Sequence, residues 1–595
     1  MAYNEMNKDE KTQRRTKFEI LSRLFSYLKD YKLKVLIITI LLLSVMIVNL
    51  LNPYILKIAI DEYITDSNLH GLMFMGLIMV LLNIFSMIIS RYRINVMGSL
   101  TNRITLNIRY DLYSHLQKLS FSFFDERPVG KVLARVMGDV NSLQQFFSSA
   151  VTNFIPELLT IIFVVGIMFY MNFQLALVSI TVLPLLFFGL SMIEIKSRKR
   201  WETYRNKRSN LNAFTHEDFS GIKVVQSFTA EKKQNDNFEN YVGETVNSFT
   251  KAVKVQDFFG PMIEISYGLG MVLVYLFGFR FIQNGSLTIG TLFAFTWYIS
   301  MFWRPIMNLS NFYNNLITSL AASERIFEIL DISPNILEKD KAYDMPKILG
   351  QVEFRDVHFE YDTGAEVLKG VNFNVTPGES IALVGPTGAG KTTIINLLSR
   401  FYDVTSGAVY IDGKNIKDVN LDSMRSQMGI MLQDTFLFST TIKENMKYGK
   451  LNASDEEIIQ AAKTVGIHDF IMSLEQGYET KVNERGSRLS VGQRQLLSLA
   501  RALLADPRIL ILDEATSNID TNTERLVQKS IRELLKNRTS FVIAHRLSTI
   551  RDVDRIFYID NSNITEIGSH EELMNKKGSY YKLYISQFKF LKEGA

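Results

Sequence analysis

Long, nearly unbroken apolar runs fill the first half of the chain and are missing from the second. The first covers residues 35–60, interrupted by Thr39, Ser44, Asn49, Asn52, Pro53 and Lys57. As a helix it is long enough to cross a bilayer. Five more runs follow, at residues 72–89, 151–171, 173–193, 262–282 and 286–307, so the pattern predicts six membrane helices whose polar ends extend beyond the lipid. After residue 350 the pattern changes. Residues 352–359 alternate as a half-buried strand does, and 380–384 and 508–512, continuously apolar after Ser380 and Arg508, are short runs of the kind found in buried parallel strands. The fold class expected is a membrane all-α domain of six transmembrane helices followed by a soluble α/β domain. The expected division is a tail (1–32), a six-helix membrane domain (33–325), a linker (326–350) with Pro334 and Pro346, and a soluble domain (351–595).

The connections between the apolar runs alternate in length and charge. Three are short: an acidic stretch with Asp61, Glu62 and Asp66, the single residue Asn172, and a turn at Asn284-Gly285. The other two are long and basic, with Arg91, Arg93, Arg103, Arg109, Lys118, Arg127, Lys131 and Arg135 in one and Lys196, Arg198, Lys199, Arg200, Arg205, Lys207 and Arg208 in the other. The tail is basic too, through Lys8, Lys11, Arg14, Arg15, Lys17 and Arg23. Lysine and arginine collect on the cytoplasmic side, so both termini, the long loops and the soluble domain are expected inside the cell membrane. The tail lacks the apolar stretch and small-residue site of a signal peptide and is expected to stay uncleaved.

Composition narrows the chemistry. No cysteine is present among the 595 residues, which excludes a disulfide scaffold, a thiolate metal site and a cysteine nucleophile. The seven histidines show no metal-ligand spacing, and a net charge of +5 is too small at this length to point to nucleic acid.

The apolar stretch 380–384 runs into Gly385-Pro386-Thr387-Gly388-Ala389-Gly390-Lys391-Thr392-Thr393, a G-x-x-x-x-G-K-T phosphate-binding loop, followed by a helix expected over 394–401, so the soluble part is expected to be an α/β P-loop NTPase domain. Its glycines let backbone N–H groups turn inward around phosphate oxygens, and the helix N-terminus adds its positive end. Lys391 is suited to the outer phosphates and Thr392 to Mg²⁺. Downstream, residues 508–512 lead into Asp513-Glu514. Carboxylates at a strand's C-terminal end face the crevice that holds the phosphates, where Asp513 can take a magnesium-bound water and Glu514 can act as general base or orient the attacking water.

Between them stands Leu489-Ser490-Val491-Gly492-Gln493, leading into a helical run at 497–504. This segment resembles the signature sequence of ATP-binding-cassette proteins. The chain's other motifs occur in the order of that family. The resemblance implies that Tyr361 stacks on adenine, that Gln433 senses Mg²⁺ and the membrane half, and that Ser517-Asn518-Ile519-Asp520 crosses to a partner cassette. It implies that His545, in Ala544-His545-Arg546 after an apolar strand at 540–544, contacts the γ-phosphate. Ser490, Gly492 and Gln493 are then expected on ATP held by the partner, with Gln433 joining Thr392 and Asp513 around the metal. Glu484-Arg485-Gly486 is similar to a short loop of the family's exporters, and Phe123-Phe124-Asp125 with Gly130, and Glu217-Asp218 with Gly221-Ile222-Lys223, to the tips of their two long cytoplasmic loops.

The exporter resemblance implies ATP-driven export of hydrophobic or amphipathic molecules, multidrug or lipid, by a dimer of half-transporters in which Glu514, His545, Gln433 and Lys391 serve catalysis. A peptide-exporter half and a non-transporting regulatory subunit are the alternatives. One departure bears on the partner: Val491 stands where the family has glycine. If the position requires positive φ or close backbone approach, the β-branched side chain costs about 1–2 kcal/mol and weakens one composite site. That favours a heterodimer over a homodimer. Glu157, Glu264 and Arg304 lie in or beside the apolar runs and are expected to pair with one another, and Pro305 is expected to kink the sixth helix.

Overall fold

The computed structural model describes residues 16–149, 154–336, 338–339, 341–361, 364–431, 435–513, 521–543 and 550–588, with the backbone alone at 304, 306–307, 309–311, 313–314, 521–522 and 587–588. The chain divides into two compact units. Among the described residues, one holds 16–117 together with 128–332, and the other holds 118–127 together with those from 333 to 588.

The first unit is helical. An amphipathic helix α1 (Lys17–Ser26) begins in a capping box, with Thr16 and Glu19 each satisfying the other's backbone N–H. It buries Ile20 and Leu24, and Arg23 donates to both carboxylate oxygens of Asp331 at 2.8 Å. Then come α2 (Lys32–Ile58) and α3 (Leu69–Leu116). The next helix, α4 (Phe121–Glu126), belongs to the second unit, and the chain returns to this one with α5 (Val129–Ala134) and α6 (Val140–Ser149). The rest is α7 (Ile155–Met171), α8 (Phe173–Ile180), α9 (Leu183–Ser220), α10 (Ile222–Ser227), α11 (Glu231–Gln256), α12 (Phe259–Gln283) and α13 (Ile289–Leu330).

Among the described residues, four helical stretches are long and apolar enough to cross a membrane: Lys17–Ile64, Leu69–Leu116, Phe173–Ser220 and Glu231–Gln283. Two shorter apolar helices, Ile155–Met171 and Ile289–Trp303, account for the remaining two predicted segments. Their shared core brings Met46 and Leu50 of α2 against Phe295, Tyr298 and Ile299 of α13, with the Tyr298 hydroxyl donating to the Leu50 carbonyl at 2.7 Å.

Two expectations need correction here. The acidic stretch after the first apolar run is no loop: α2 continues into a π-helical turn, Ala59–Ile64. There the Asp61 carboxylate accepts from Gly290 N at 2.7 Å and Thr288 Oγ1 at 2.6 Å, covering the N-terminus of α13. The fourth apolar run is not one helix either, since α8 stops at Ile180 and α9 restarts at Leu183 with proline in its first turn. Pro184 has no N–H to donate and its ring excludes the carbonyl four residues back. Finally, Glu157 accepts from Asn308 Nδ2 at 2.6 Å and Glu264 is exposed. The Arg304 side chain lies outside the described residues. Helix α13 continues through Pro305.

The second unit opens with the short helix α4 (Phe121–Glu126) and otherwise contains two sheets. The strands are β1 (Val352–Glu360), β2 (Glu366–Val375), β3 (Ser380–Val384), β4 (Ser406–Ile411), β5 (Lys414–Asn415), β6 (Met428–Met431), β7 (Ile509–Asp513), β8 (Thr539–Ile543), β9 (Arg555–Asp560) and β10 (Asn563–Gly568). An antiparallel sheet runs β2-β1-β4-β5, and a mostly parallel one runs β10-β9-β3-β8-β7-β6, with only β10 antiparallel. The central strands β3 and β8 are buried throughout. One core lies between the sheets, with Phe354, Phe373 and Phe557 in it, and a second packs helices against the other face of the parallel sheet.

Candidate functional site

The loop that leaves β3 is shaped by a close backbone approach. A Cβ on Gly385 would lie 2.1 Å from the Ile559 carbonyl oxygen in neighbouring β9, so only glycine fits. Pro386, Thr387 and Gly388 are exposed, Ala389 is half-buried, and Gly390 at φ 105° turns the chain into helix α14 (Lys391–Leu398). The helix therefore starts and ends three residues before the expected bounds. The ammonium of Lys391 donates to the carbonyls of Gly385 and Pro386 at 2.8 Å each. Burial lowers its pKa from the ordinary range, and the charge of Asp513 draws it back up. Thr392 is exposed in the first helical turn, and Thr393 is buried beneath it.

The strand order places the phosphate loop and the carboxylate strand on one edge. In register, Leu383 of β3 pairs with Ile543 of β8, and Ile543 pairs with Asp513 of β7. All three strands thus end side by side, where α/β sheets bind ligands. Glu514 and Ser517 to Asp520 follow β7, and Ala544 to Arg546, with His545, follow β8; all lie outside the described residues, as does Gln433 after β6. Thr392 and Asp513, both oxygen donors on this edge, fit the ligand chemistry of magnesium.

Tyr361 follows β1 and shares a hydrogen bond with Thr393 Oγ1 at 3.2 Å. Its ring meets Phe359 edge-on at 4.8 Å. An aromatic face is thereby fixed beside the first turn of α14.

The signature segment is a helix start. Ser490 and Gln493 form a capping box, Ser490 N donating to Gln493 Oε1 at 2.9 Å and Gln493 N to Ser490 Oγ at 3.2 Å, and the helix Val491–Leu504 begins six residues before the expected run. Gly492 is buried. Val491 is 38 % exposed at the first helical position. It is not among the positive-φ residues, so the strain considered for a valine there is absent within this chain. Arg494 reaches back to the Leu489 carbonyl at 2.8 Å, and its stem packs on Gly486 of the Glu484-Arg485-Gly486 turn. A second arginine, Arg501, donates to the carbonyls of Asn445 at 2.9 Å and Phe436 at 3.3 Å, holding the segment that follows Gln433.

Several of these residues escaped sequence reasoning. The Ser-x-x-Gln pattern at Ser490 was a readable helix start. Arg494, Arg501 and Asn445 carry no motif and are recognised only by what they touch.

A phosphate-binding loop on a mostly parallel sheet, fused to a set of long apolar helices, defines a membrane-embedded nucleotide-driven machine. Residues 35–306 match the ABC transporter transmembrane region and residues 368–517 the ABC transporter family. An uncharacterized ABC transporter ATP-binding protein of Bacillus subtilis, YknV, is 42% identical over 95% of this chain and 94% of its own. An ATP-dependent lipid A-core flippase of Syntrophus aciditrophicus is 38% identical over 91% of this chain and 90% of its own. A solved bacterial Atm1-family ABC exporter with ATP bound superposes with a TM-score of 0.79 at 29% identity, covering 93% of this chain and 98% of that one. The chain belongs to the ABC transporter family and is an exporter half-transporter: a multi-pass membrane protein that binds and hydrolyses ATP to drive export.

Proposed function

We propose that the chain pairs with a second half-transporter and moves lipids or amphipathic drug-like molecules across the cell membrane, with both termini and the nucleotide-binding unit in the cytoplasm. The observation that carries the nucleotide chemistry is the Gly385 loop with Lys391 held opposite Asp513 at one sheet edge. The loop N–H groups and Lys391 bind the phosphates, and Tyr361 stacks on the base. Thr392, Asp513 and Gln433 hold magnesium, which when bound spreads the negative charge that builds on the outer phosphates. Glu514 accepts a proton from the attacking water and His545 contacts the γ-phosphate. Ser490, Gly492, Gln493 and Asp520 face the partner's nucleotide. The lipid reading is supported by the flippase relative. The basic loops support the orientation.

Val491, exposed at the start of the signature helix where the family has glycine, supports a heterodimer, since it adds a β-branched side chain to the surface expected to face the partner's nucleotide. Weighing the detergent-solubilised complex, tagged in its chromosomal context, by native mass spectrometry separates the cases: a second polypeptide means a heterodimer, and twice this chain's mass means a homodimer. ATP-dependent movement of a fluorescent phospholipid between leaflets of proteoliposomes tests the substrate; movement equal with and without ATP counts against lipid.

A further inference from the structure

The short helix α4 interrupts the first unit in sequence yet packs in the second. Phe121 stacks on Phe401 at 5.4 Å, Asn335 Nδ2 donates to Ser122 Oγ at 3.1 Å, and the Tyr402 hydroxyl donates to the Asp125 carboxylate at 2.5 Å. Tyr402 itself sits on a stiff turn at the far end of the phosphate-loop helix. Arg400, only 1% exposed, donates to the Ile416 carbonyl and pairs with Asp403, and Arg425 donates to the Arg400 carbonyl. The other side of the Tyr402 ring system meets Tyr361 edge-on at 5.3 Å with the planes 85° apart. Tyr361 is thus steadied by three neighbours: Thr393 below, Phe359 of its own strand, and Tyr402.

We propose that Tyr402 is a positioning residue for the nucleotide base, tying the Asp125 carboxylate of α4 to the base-stacking ring of Tyr361. This rests on the reading of Tyr361 as the adenine platform. The link is a charge-assisted hydrogen bond at one end and an edge-to-face ring contact at the other. Both ends of α4 run straight into the membrane unit's chain. Binding couplings are reciprocal, so a link by which the base bears on α4 is also one by which α4 bears on nucleotide affinity. Its deletion therefore changes KM for ATP, while kcat, set at the phosphate end of the site, is retained.

The experiment is a steady-state ATPase measurement on the full-length transporter in lipid nanodiscs, with Tyr361→Ala, Tyr402→Phe, Asp125→Asn, the Asp125→Asn/Tyr402→Phe double variant, and each of the last three in the Tyr361→Ala background. Tyr361→Ala raises KM if the base reading holds. Tyr402→Phe and Asp125→Asn, which delete the same hydrogen bond from opposite ends, are then each expected to raise KM about three- to tenfold with kcat retained. The double variant is expected to do no more than either single change, and none of the three to add to Tyr361→Ala. If Tyr361→Ala raises KM while the other two leave it alone, the link is overturned and the base reading stands. If Tyr361→Ala leaves KM unchanged, the base reading falls and the link with it. Additive effects, or effects that persist in the Tyr361→Ala background, also overturn the link, since they mean that Asp125 and Tyr402 act by separate routes.

Discussion

Arg501 and Asn445 lock two functional segments together. The arginine, near the end of the signature helix, donates through Nε to the Asn445 carbonyl at 2.9 Å and through Nη2 to Asn445 Oδ1 at 3.2 Å. Asn445 Oδ1 also accepts from Phe438 N, and its amide group donates to Phe438 O, Thr440 Oγ1 and Thr441 O. With Asn445 only 1% exposed, its removal strands several buried polar groups. Asn445→Ala is expected to destabilise the nucleotide-binding unit by about 1–3 kcal/mol. The check is the melting temperature of the purified transporter followed by intrinsic fluorescence; an unshifted transition removes the lock.

Glu514 and Lys391 separate chemistry from binding. Glu514→Gln is expected to lower turnover by about 10²- to 10⁴-fold with ATP affinity kept. Lys391→Ala removes the ammonium poised at the loop and is expected to weaken ATP binding at least about tenfold. Phosphate release reads the first and displacement of a fluorescent ATP analogue the second. Full hydrolysis in Glu514→Gln would remove that residue from the mechanism.

Gly385 tolerates no side chain. The Cβ of Gly385→Ala would meet the Ile559 carbonyl at 2.1 Å, and backbone in the middle of a sheet yields poorly. The variant is expected to lose nucleotide binding and more than about 2 kcal/mol of stability. Gly413→Ala is the control: it has space for a Cβ and positive φ, so it carries backbone strain without the clash.

His358 gives a pH signature. Its ring bonds to Glu366 at 2.7 Å, and Asp356 lies 3.5 Å away. The hydrogen bond to Glu366 is the main cause that raises its pKa above 6.5, against some desolvation and with Asp356 helping. A raised folded value means that the charged pair contributes fully below the unfolded pKa near 6.5 and is lost as pH climbs through the folded value. Glu366→Gln is expected to shift the His358 titration downward, read by ¹³C-histidine NMR with seven histidines to assign. A titration unmoved by Glu366→Gln would dissociate the pair.

The parts legible in the sequence are those fixed by neighbours in the chain. Ser380–Val384 reads as a strand because every residue in it is buried, and the loop after it is written in glycine spacing. The break at Thr181 was hidden because an apolar run looks the same whether one helix or two fill it; only Pro184 marked it. The π-turn at Ala59–Ile64 was hidden because its acidic residues resemble a loop until Asp61 is seen capping a helix that starts far downstream. Tyr402 could not be found from sequence: its partner Asp125 is 277 residues away, and nothing local to either announces the other.

The placement of α4 has a consequence for biogenesis. Its ten-residue excursion is synthesised roughly 280 residues before Phe401 and Tyr402, which receive it. At ordinary rates of synthesis that is a delay of about 14–56 s. Throughout that interval Phe121 and Asp125 have no docking partner, so the membrane helices must be threaded with this connection still open. Closure of α4 onto the turn at Phe401 and Tyr402 therefore waits for the second unit, and it is available as a checkpoint: a nascent chain whose second unit fails to fold leaves these aromatic residues uncovered.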